Sequence, residues 1–306
     1  MRISLGGGGS DLPEFYTKHG GFWISAAINK FVYVAIKSRF EKQIRLAYSK
    51  IENVNSVDEV KHPIFREALK VFEIEDHVEI STLADLPSGT GMGSSGSFTV
   101  GLVNALSIYT SQPVYDLADL AFQIEHDRLN RKTGKQDQYA AYLGGVKAYS
   151  ASKSGHVTWN DLETPNLDDH LSLFYTGITR DTASILEETG KKIDELKQIK
   201  ALGEASWEYL HNKDYDTFGT LMNNHWQIKR QMSEDISSVK LDEIYQKALE
   251  AGALGGKLIG AGGGGFFLFY TQDDYKKKRL INKVNKLGLP HLPFKFHGRG
   301  TEVLDF

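Results

Sequence analysis

The sequence has no cysteine, which excludes disulfides and thiolate chemistry and leaves the compartment undecided. It has no apolar run near the ~20 residues of a membrane span, and nothing like a signal peptide precedes Arg2, so a cytoplasmic protein without a membrane partner is expected. It has no surplus of positive charge. Against 36 Lys and Arg stand 39 Asp and Glu, a net charge of -3 that gives nonspecific nucleic-acid binding no electrostatic support. No Gly-x-x-x-x-Gly-Lys-Ser/Thr segment occurs, which argues against a P-loop NTPase. Val34-Ala35-Ile36-Lys37 copies a protein-kinase lysine motif, but neither His-Arg-Asp nor Asp-Phe-Gly accompanies it, so it reads as a plain strand.

What the sequence does have is glycine, 30 residues of it, concentrated at Gly6 to Gly9, Gly89 to Gly96 and Gly260 to Gly265. Three separate sites of close backbone approach are hard to explain as coincidental turns. In the middle cluster, Pro87-Ser88-Gly89-Thr90-Gly91-Met92-Gly93-Ser94-Ser95-Gly96-Ser97 runs into an apolar stretch. Upstream, Val78 to Leu83 alternates at period two as a strand does; downstream, Phe98, Leu102, Ala105 and Leu106 recur at helical spacing, predicting a helix from Ser94 or Ser95. Bare glycines turn amides inward, and a following helix aims its positive end at the same point, so the segment suits a phosphate. A plain strand-to-helix turn explains it equally well in isolation. Gly91-x-Gly93-x-x-Gly96 also fits the dinucleotide fingerprint, but Asp116 follows Pro113 at a helix start rather than ending a second strand.

A chain of 306 residues, 41% hydrophobic and 25% charged, is an ordinary globular composition and long enough for two cores. Pro165-Asn166-Leu167-Asp168-Asp169 reads as the link, dividing the chain into 1–165 and 166–306. In the first part, strands are expected at 2–5, 23–28, 31–36 and 145–150, with 23–28 and 31–36 as a pair or one bent strand, a hairpin within 41–60, and helices at 62–72 and from Pro113. A strand is also expected at 156–159, ahead of the link; after it, strands are expected at 171–175, 257–260, 266–270, 293–297 and 301–305, and helices at 182–202, 215–232, 241–251 and 273–287. This order suggests an α+β sandwich.

Three carboxylates stand out. Asp11, after Gly8, Gly9 and Ser10, could bind ligand hydroxyls or cap a helix beginning at Leu12-Pro13. Glu125 falls at the edge of the Leu117, Leu120, Ala121 and Ile124 stripe, a place for a metal-binding carboxylate, although an ordinary flank glutamate is the better reading of spacing alone. Asp137, among Lys135, Gln136 and Gln138 just after Gly134, could be a general base, a charge orienting a hydroxyl, or a helix cap.

Together the glycine clusters, Glu125 and Asp137 stand in the order of the GHMP small-molecule kinases, which the chain resembles over nearly its whole length. Pro87-x-x-x-Gly91-Met92-Gly93-Ser94-Ser95 resembles the family's ATP loop, and Lys257 to Gly265 its third motif. Gly7-Gly8-Gly9-Ser10-Asp11-Leu12-Pro13 departs from the common first motif and is similar to the branch acting on heptose 7-phosphates, as are Gly134 to Ala141, Thr179-Arg180-Asp181 and His225-Trp226-x-x-Lys229. Ser10 and Gly96 stand where Thr and Ala are usual.

The resemblance implies two α/β sandwiches with the active site in the cleft between them, and ATP and Mg²⁺ as cofactors. Residues 87–97 would wrap the triphosphate, and Ser95 or Ser94 with Glu125 would hold the metal. Asp137 would face the acceptor hydroxyl, with Lys135 keeping it ionised. Gly8, Gly9, Ser10 and Asp11 would hold sugar hydroxyls, and the 260–265 loop, Gly263 and Gly264 included, would close near both substrates. A phosphosugar partner needs cations, for which Arg180, Lys229 and Arg230 are the candidates and Arg299 a distant fourth. Kinases of fucose, arabinose or galactose, and a noncatalytic sensor, are the alternatives; the presence of both Glu125 and Asp137 argues against the sensor. Oligomeric state, monomer or homodimer, is left open.

Overall fold

The computed structural model describes residues 1–178 and 182–304. The chain begins with β1 (Arg2–Gly6), α1 (Pro13–His19), β2 (Gly21–Ala27), β3 (Val32–Ser38), β4 (Ile44–Ala47), β5 (Ile51–Val54) and α2 (Pro63–Val71). Then come β6 (Val78–Ala84), α3 (Ser94–Tyr109), α4 (Leu117–Gln123), a π-helical turn over Ile124–Arg128, α5 (Gln136–Leu143), β7 (Val146–Ala151) and β8 (Val157–Asp161). The second half holds α6 (Leu167–His170), β9 (Leu171–Tyr175), α7 (Thr182–Lys191), α8 (Ile193–His211), α9 (Tyr215–Lys229), α10 (Val239–Glu250), β10 (Gly255–Leu258), β11 (Phe266–Tyr270), α11 (Asp274–Lys286) and β12 (His291–Leu292).

These strands form three four-stranded sheets, ordered β1-β2-β7-β8, β3-β6-β4-β5 and β10-β11-β9-β12, every pair antiparallel except β4 with β6. The mixed helix-and-sheet class is therefore the expected one. The segments 23–28 and 31–36 are neither a pair nor one bent strand: β2 and β3 belong to different sheets, because Asn29 and Lys30 are tied instead to the chain's last segment and to Ile28. The expected helix 182–202 is two helices broken at Lys192, and the helix expected from Pro113 begins only at Leu117, with the Asp116 carboxylate accepting from the Asp119 N–H at its cap. The strand expected at 293–297 reduces to a single bridge between Ile28 and Phe296, with β12 ahead of it.

Apolar spacing explains the layers. Ile64, Phe65, Ala68 and Leu69 turn one face of α2 inward, meeting Val100, Val103 and Leu106 of α3 and Ile44, Leu46, Val78 and Ile80 of the sheet. A second core gathers Trp226, Ile244, Tyr245, Phe267 and Phe269. A third, containing Ile3, Leu5, Ile24, Leu173, Phe218, Met222 and Leu268, joins residues of both halves.

β1 places the site. Its five residues are all buried, and alternation sends Ile3 and Leu5 into the shared core and Arg2 and Ser4 to the opposite face. That face meets the starts of α3 and α5, where Gln136 Nε2 donates to Ser4 Oγ at 3.0 Å.

Candidate active site

One cavity of about 600 Å³ collects the chemistry-bearing residues. It is lined by Arg2 and Ser4 from β1, Gly8, Gly9 and Asp11 from the first glycine turn, and Gly89, Gly91, Gly93, Ser94 and Ser95 at the start of α3. Glu125, Gln136 and Asp137 also line it, and from the second half come His225, Lys229, Lys257, Gly260 and Ala261.

The second and third glycine clusters meet as backbone on backbone. Gly91 has φ +76°, and a Cβ there would stand 2.4 Å from Ile259 O; a Cβ on Gly260 would stand 2.5 Å from Gly91 Cα, and one on Gly265 2.2 Å from Thr90 O. The first turn is equally tight, since a Cβ on Gly7 would lie 2.1 Å from Phe22 O. Side chains are thus excluded where loops from distant parts of the chain form one wall. Gly93, left-handed at φ 73°, caps α3 and delivers the chain into the helix, so the first free N–H groups of α3 open toward the cavity.

Not every residue of 87–97 faces that space. Thr90 and Met92 are buried, Gly96 faces Asp137, and Ser97 is buried on α3, while Pro87 lines a smaller apolar cavity with Leu86, Tyr175 and Phe266. Gly263 and Gly264 do not line the cavity: the Gly263 N–H donates to Ile236 O, and Gly264 abuts Ile178 O, so Gly260 and Ala261 are the loop's cavity members. Ser10 is turned away as well, its hydroxyl donating to Gly7 O and Phe22 O.

Asp137, at the second position of α5, is gripped from β1. Arg2 Nε and Nη2 reach its Oδ1 at 2.8 and 2.5 Å, and Arg2 Nη1 donates to Gly91 O at 2.5 Å. A single guanidinium therefore couples the carboxylate to the glycine loop, and Oδ2 takes no part in the pair. Lys135 does something else. Its amine donates to Asp119 Oδ1 at 2.7 Å and lies 4.7 Å from the centre of the Phe122 ring, because residues two apart at a helix start face different sides.

Glu125 is fully buried rather than an ordinary flank glutamate at the core's edge, and the chain widens into the π-helical turn there. Ser95 Oγ donates to its Oε2 at 2.6 Å, and Thr99 Oγ1 and Gln138 Nε2 donate to its Oε1 at 3.0 and 3.1 Å. Burial, the largest influence, pushes its carboxyl above the usual range. Asp11 is likewise raised by burial, and its oxygens accept from the N–H groups of Gly9 and Gln136 at 2.9 and 3.0 Å. It caps no helix at Leu12; it ties the first glycine turn to the N-terminus of α5.

Of the proposed phosphosugar cations, Lys229 lines the cavity and Arg180 lies outside the described residues. Arg230 is paired with Asp242 and Arg299 with Glu302, both away from it. The sequence reading gave Arg2 no place in the site, and named Lys257 and His225 only within motifs, without a role. The signal for Arg2 was an arginine inside a five-residue strand that is otherwise small or apolar; for Lys257, a lysine entering the apolar approach to the third glycine cluster.

Similarity to known proteins follows the same lines. The family model for the GHMP kinases N terminal domain matches residues 60–145, and that for the GHMP kinases C terminal matches 207–288. The chain is 30% identical to D-glycero-alpha-D-manno-heptose 7-phosphate kinase of Campylobacter jejuni, covering 94% of this chain and 91% of that protein. It is 28% identical to a galactokinase of Thermococcus kodakarensis, covering 86% and 87%. A crystal structure of a D-glycero-D-manno-heptose 1-phosphate kinase from Bacteroides thetaiotaomicron superposes with a TM-score of 0.82 at 24% identity over 100% of this chain and 98% of that one, a likeness of fold. With its glycine cradle, its Arg2–Asp137 pair and both halves of the family pattern in place, the chain belongs to the GHMP kinases.

Proposed function

We propose that this kinase transfers the γ-phosphate of ATP to the anomeric hydroxyl of D-glycero-D-manno-heptose 7-phosphate, giving the 1,7-bisphosphate. The reading is carried by one observation: a single cavity holds a glycine cradle, a buried glutamate beside a serine, and an arginine-held aspartate, in a chain similar over 94% of its length to a heptose 7-phosphate kinase. The parts divide as 1–165, carrying the cradle, and 166–306, carrying the lysines of the opposite wall.

Phosphoryl transfer passes through a loose transition state whose charge sits on peripheral oxygens, so placement and electrostatics supply most of the acceleration. The amides around Gly89, Gly91 and Gly93 and the start of α3 would receive the triphosphate. Ser95 Oγ and Glu125 Oε2 are oxygens of the kind a hard divalent cation takes, and these two residues would hold Mg²⁺. A bound Mg²⁺ would supply charge neutralisation on the phosphate oxygens. Asp137 Oδ2 would accept the proton of the acceptor hydroxyl while Arg2 holds Oδ1, fixing the direction of attack. Asp11, at the far side of the first turn, would hold ring hydroxyls through the lone pairs its two amide bonds leave over.

The test is ADP release with Mg²⁺ and ATP across a sugar panel. Turnover of heptose 7-phosphate well above that of neutral hexoses is expected; turnover of hexoses with none of heptose 7-phosphate rejects the assignment. The similarity to a galactokinase makes galactose the first alternative acceptor to include.

A further inference from the structure

The second half presents three basic groups to the cavity. His225 and Lys229 stand four residues apart on α9, hence on one face of it, and Lys257 projects from β10 alongside. Glycines draw these elements together: a Cβ on Gly255 would lie 2.0 Å from Gly219 O, so β10 and α9 touch backbone to backbone. Lys257 is only 2% exposed and His225 4%, yet both line the cavity. The Lys257 amine has one polar partner, His225 Nδ1 at 3.4 Å, and among the described residues no carboxylate pairs with it. Lys229 Nζ donates to Leu258 O, at 3.3 Å, and to Gly260 O, leaving a third proton for another acceptor.

A buried basic group without a counter-charge is costly to ionise, and an anion bound beside it offsets that cost. Burial depresses the basicity of all three groups, as it must where nothing negative compensates. The triphosphate has other donors in the cavity. Its cradle, with Ser95 and Glu125, lies on the first half, and the charged neighbour of Glu125 is Arg131. The cluster lines the same cavity as Asp11 and Asp137, the carboxylates assigned above to the acceptor sugar.

We propose that Lys257, His225 and Lys229 form a buried site for the phosphate that the acceptor sugar already carries. The inference rests on the phosphosugar reading above and assigns the residues that make it one. The cluster would meet a dianion with up to three charge-assisted donors, while its desolvated cations reject a neutral hydroxyl in the same place.

The test compares wild type with Lys257→Met and His225→Gln, each first checked for a cooperative melt. For Lys257→Met, the KM for the phosphosugar should rise roughly 30- to 100-fold, as for loss of one buried charge-assisted contact, with the KM for ATP unchanged. The preference for a phosphosugar over its unphosphorylated counterpart should fall by a similar factor. With the glycine cradle saturated by a non-hydrolysable ATP analogue, inorganic phosphate should raise the melting temperature of the wild type further and not that of Lys257→Met, a readout that needs no turnover. A raised KM for ATP with an unaltered KM for phosphosugar overturns the proposal while leaving the heptose assignment standing. Turnover of a shorter phosphosugar, dependent on Lys257, with none of heptose 7-phosphate upholds the site and removes the heptose assignment.

Discussion

Arg2 Nε lies 2.8 Å from Asp137 Oδ1, joining two residues 135 positions apart in the chain. The pair fixes a carboxylate that would otherwise sit at a helix start with a choice of rotamers, and the same guanidinium reaches the glycine loop through Gly91 O. Reaction rate should therefore depend on Arg2 although it is not the group accepting the proton. Arg2→Gln is expected to lower kcat roughly 100-fold by loss of orientation, with Arg2→Lys recovering only part because an ammonium makes no fork. Steady-state kinetics check this; an unaltered kcat in Arg2→Gln would remove the arginine from the account.

A Cβ on Gly96 would be 2.6 Å from the Cβ of Asp137. Gly96→Ala should push α5 away from α3, costing about 1–3 kcal/mol of stability, the usual size of overpacking. It should also lower kcat roughly 10-fold or more through displacement of Asp137. Denaturant midpoint and kcat measured on the same preparation test both parts.

Glu125 predicts a pH-dependent metal requirement. Because burial raises its carboxyl, a proton competes with the divalent cation, and the Mg²⁺ needed for half-maximal rate should grow as pH falls toward the carboxylate range, sooner than for an ordinary glutamate. Glu125→Gln should raise that requirement on the order of 10- to 100-fold and flatten its pH dependence. Mg²⁺ titrations of activity at several pH values decide it.

The lysines predict the stability profile of the ligand-free protein. Burial and then Arg2 lower the Lys229 pKa from 10.5 to about 7, with Asp11 opposing. Between about 7 and 10.5 the unfolded chain keeps a proton that the folded one has released, so stability rises with pH through that window, and the full penalty is present below it. Lys257 and His225 shift in the same direction, with the His225 contribution falling at lower pH. Asp11 and Glu125, both raised, act oppositely, destabilising as pH climbs from the carboxylate range through their folded values. Denaturation at pH 6.5 and pH 9 on wild type and Lys229→Met isolates the lysine part: the variant should lose much of the gain.

Much of this was legible beforehand. Period-two alternation located β6, and the Gly/Ser run with its apolar sequel located the start of α3. Glu125 was found by its family place but misread by its spacing, since a helical wheel assumes 3.6 residues per turn and the chain departs from that at Ile124–Arg128. Lys135 was misassigned because adjacency in sequence to Asp137 is not adjacency on a helix. Arg2 and Lys257 escaped because a cation's burial depends on what the tertiary fold brings against it, which neither charge count nor periodicity reports.

ADP release by wild type and Asp137→Asn, with Mg²⁺, ATP and heptose 7-phosphate, decides whether this carboxylate takes the acceptor's proton. The expected loss in kcat is roughly 10²- to 10⁴-fold with the KM for ATP retained, as for removal of a positioned proton acceptor. Full turnover by Asp137→Asn would contradict it.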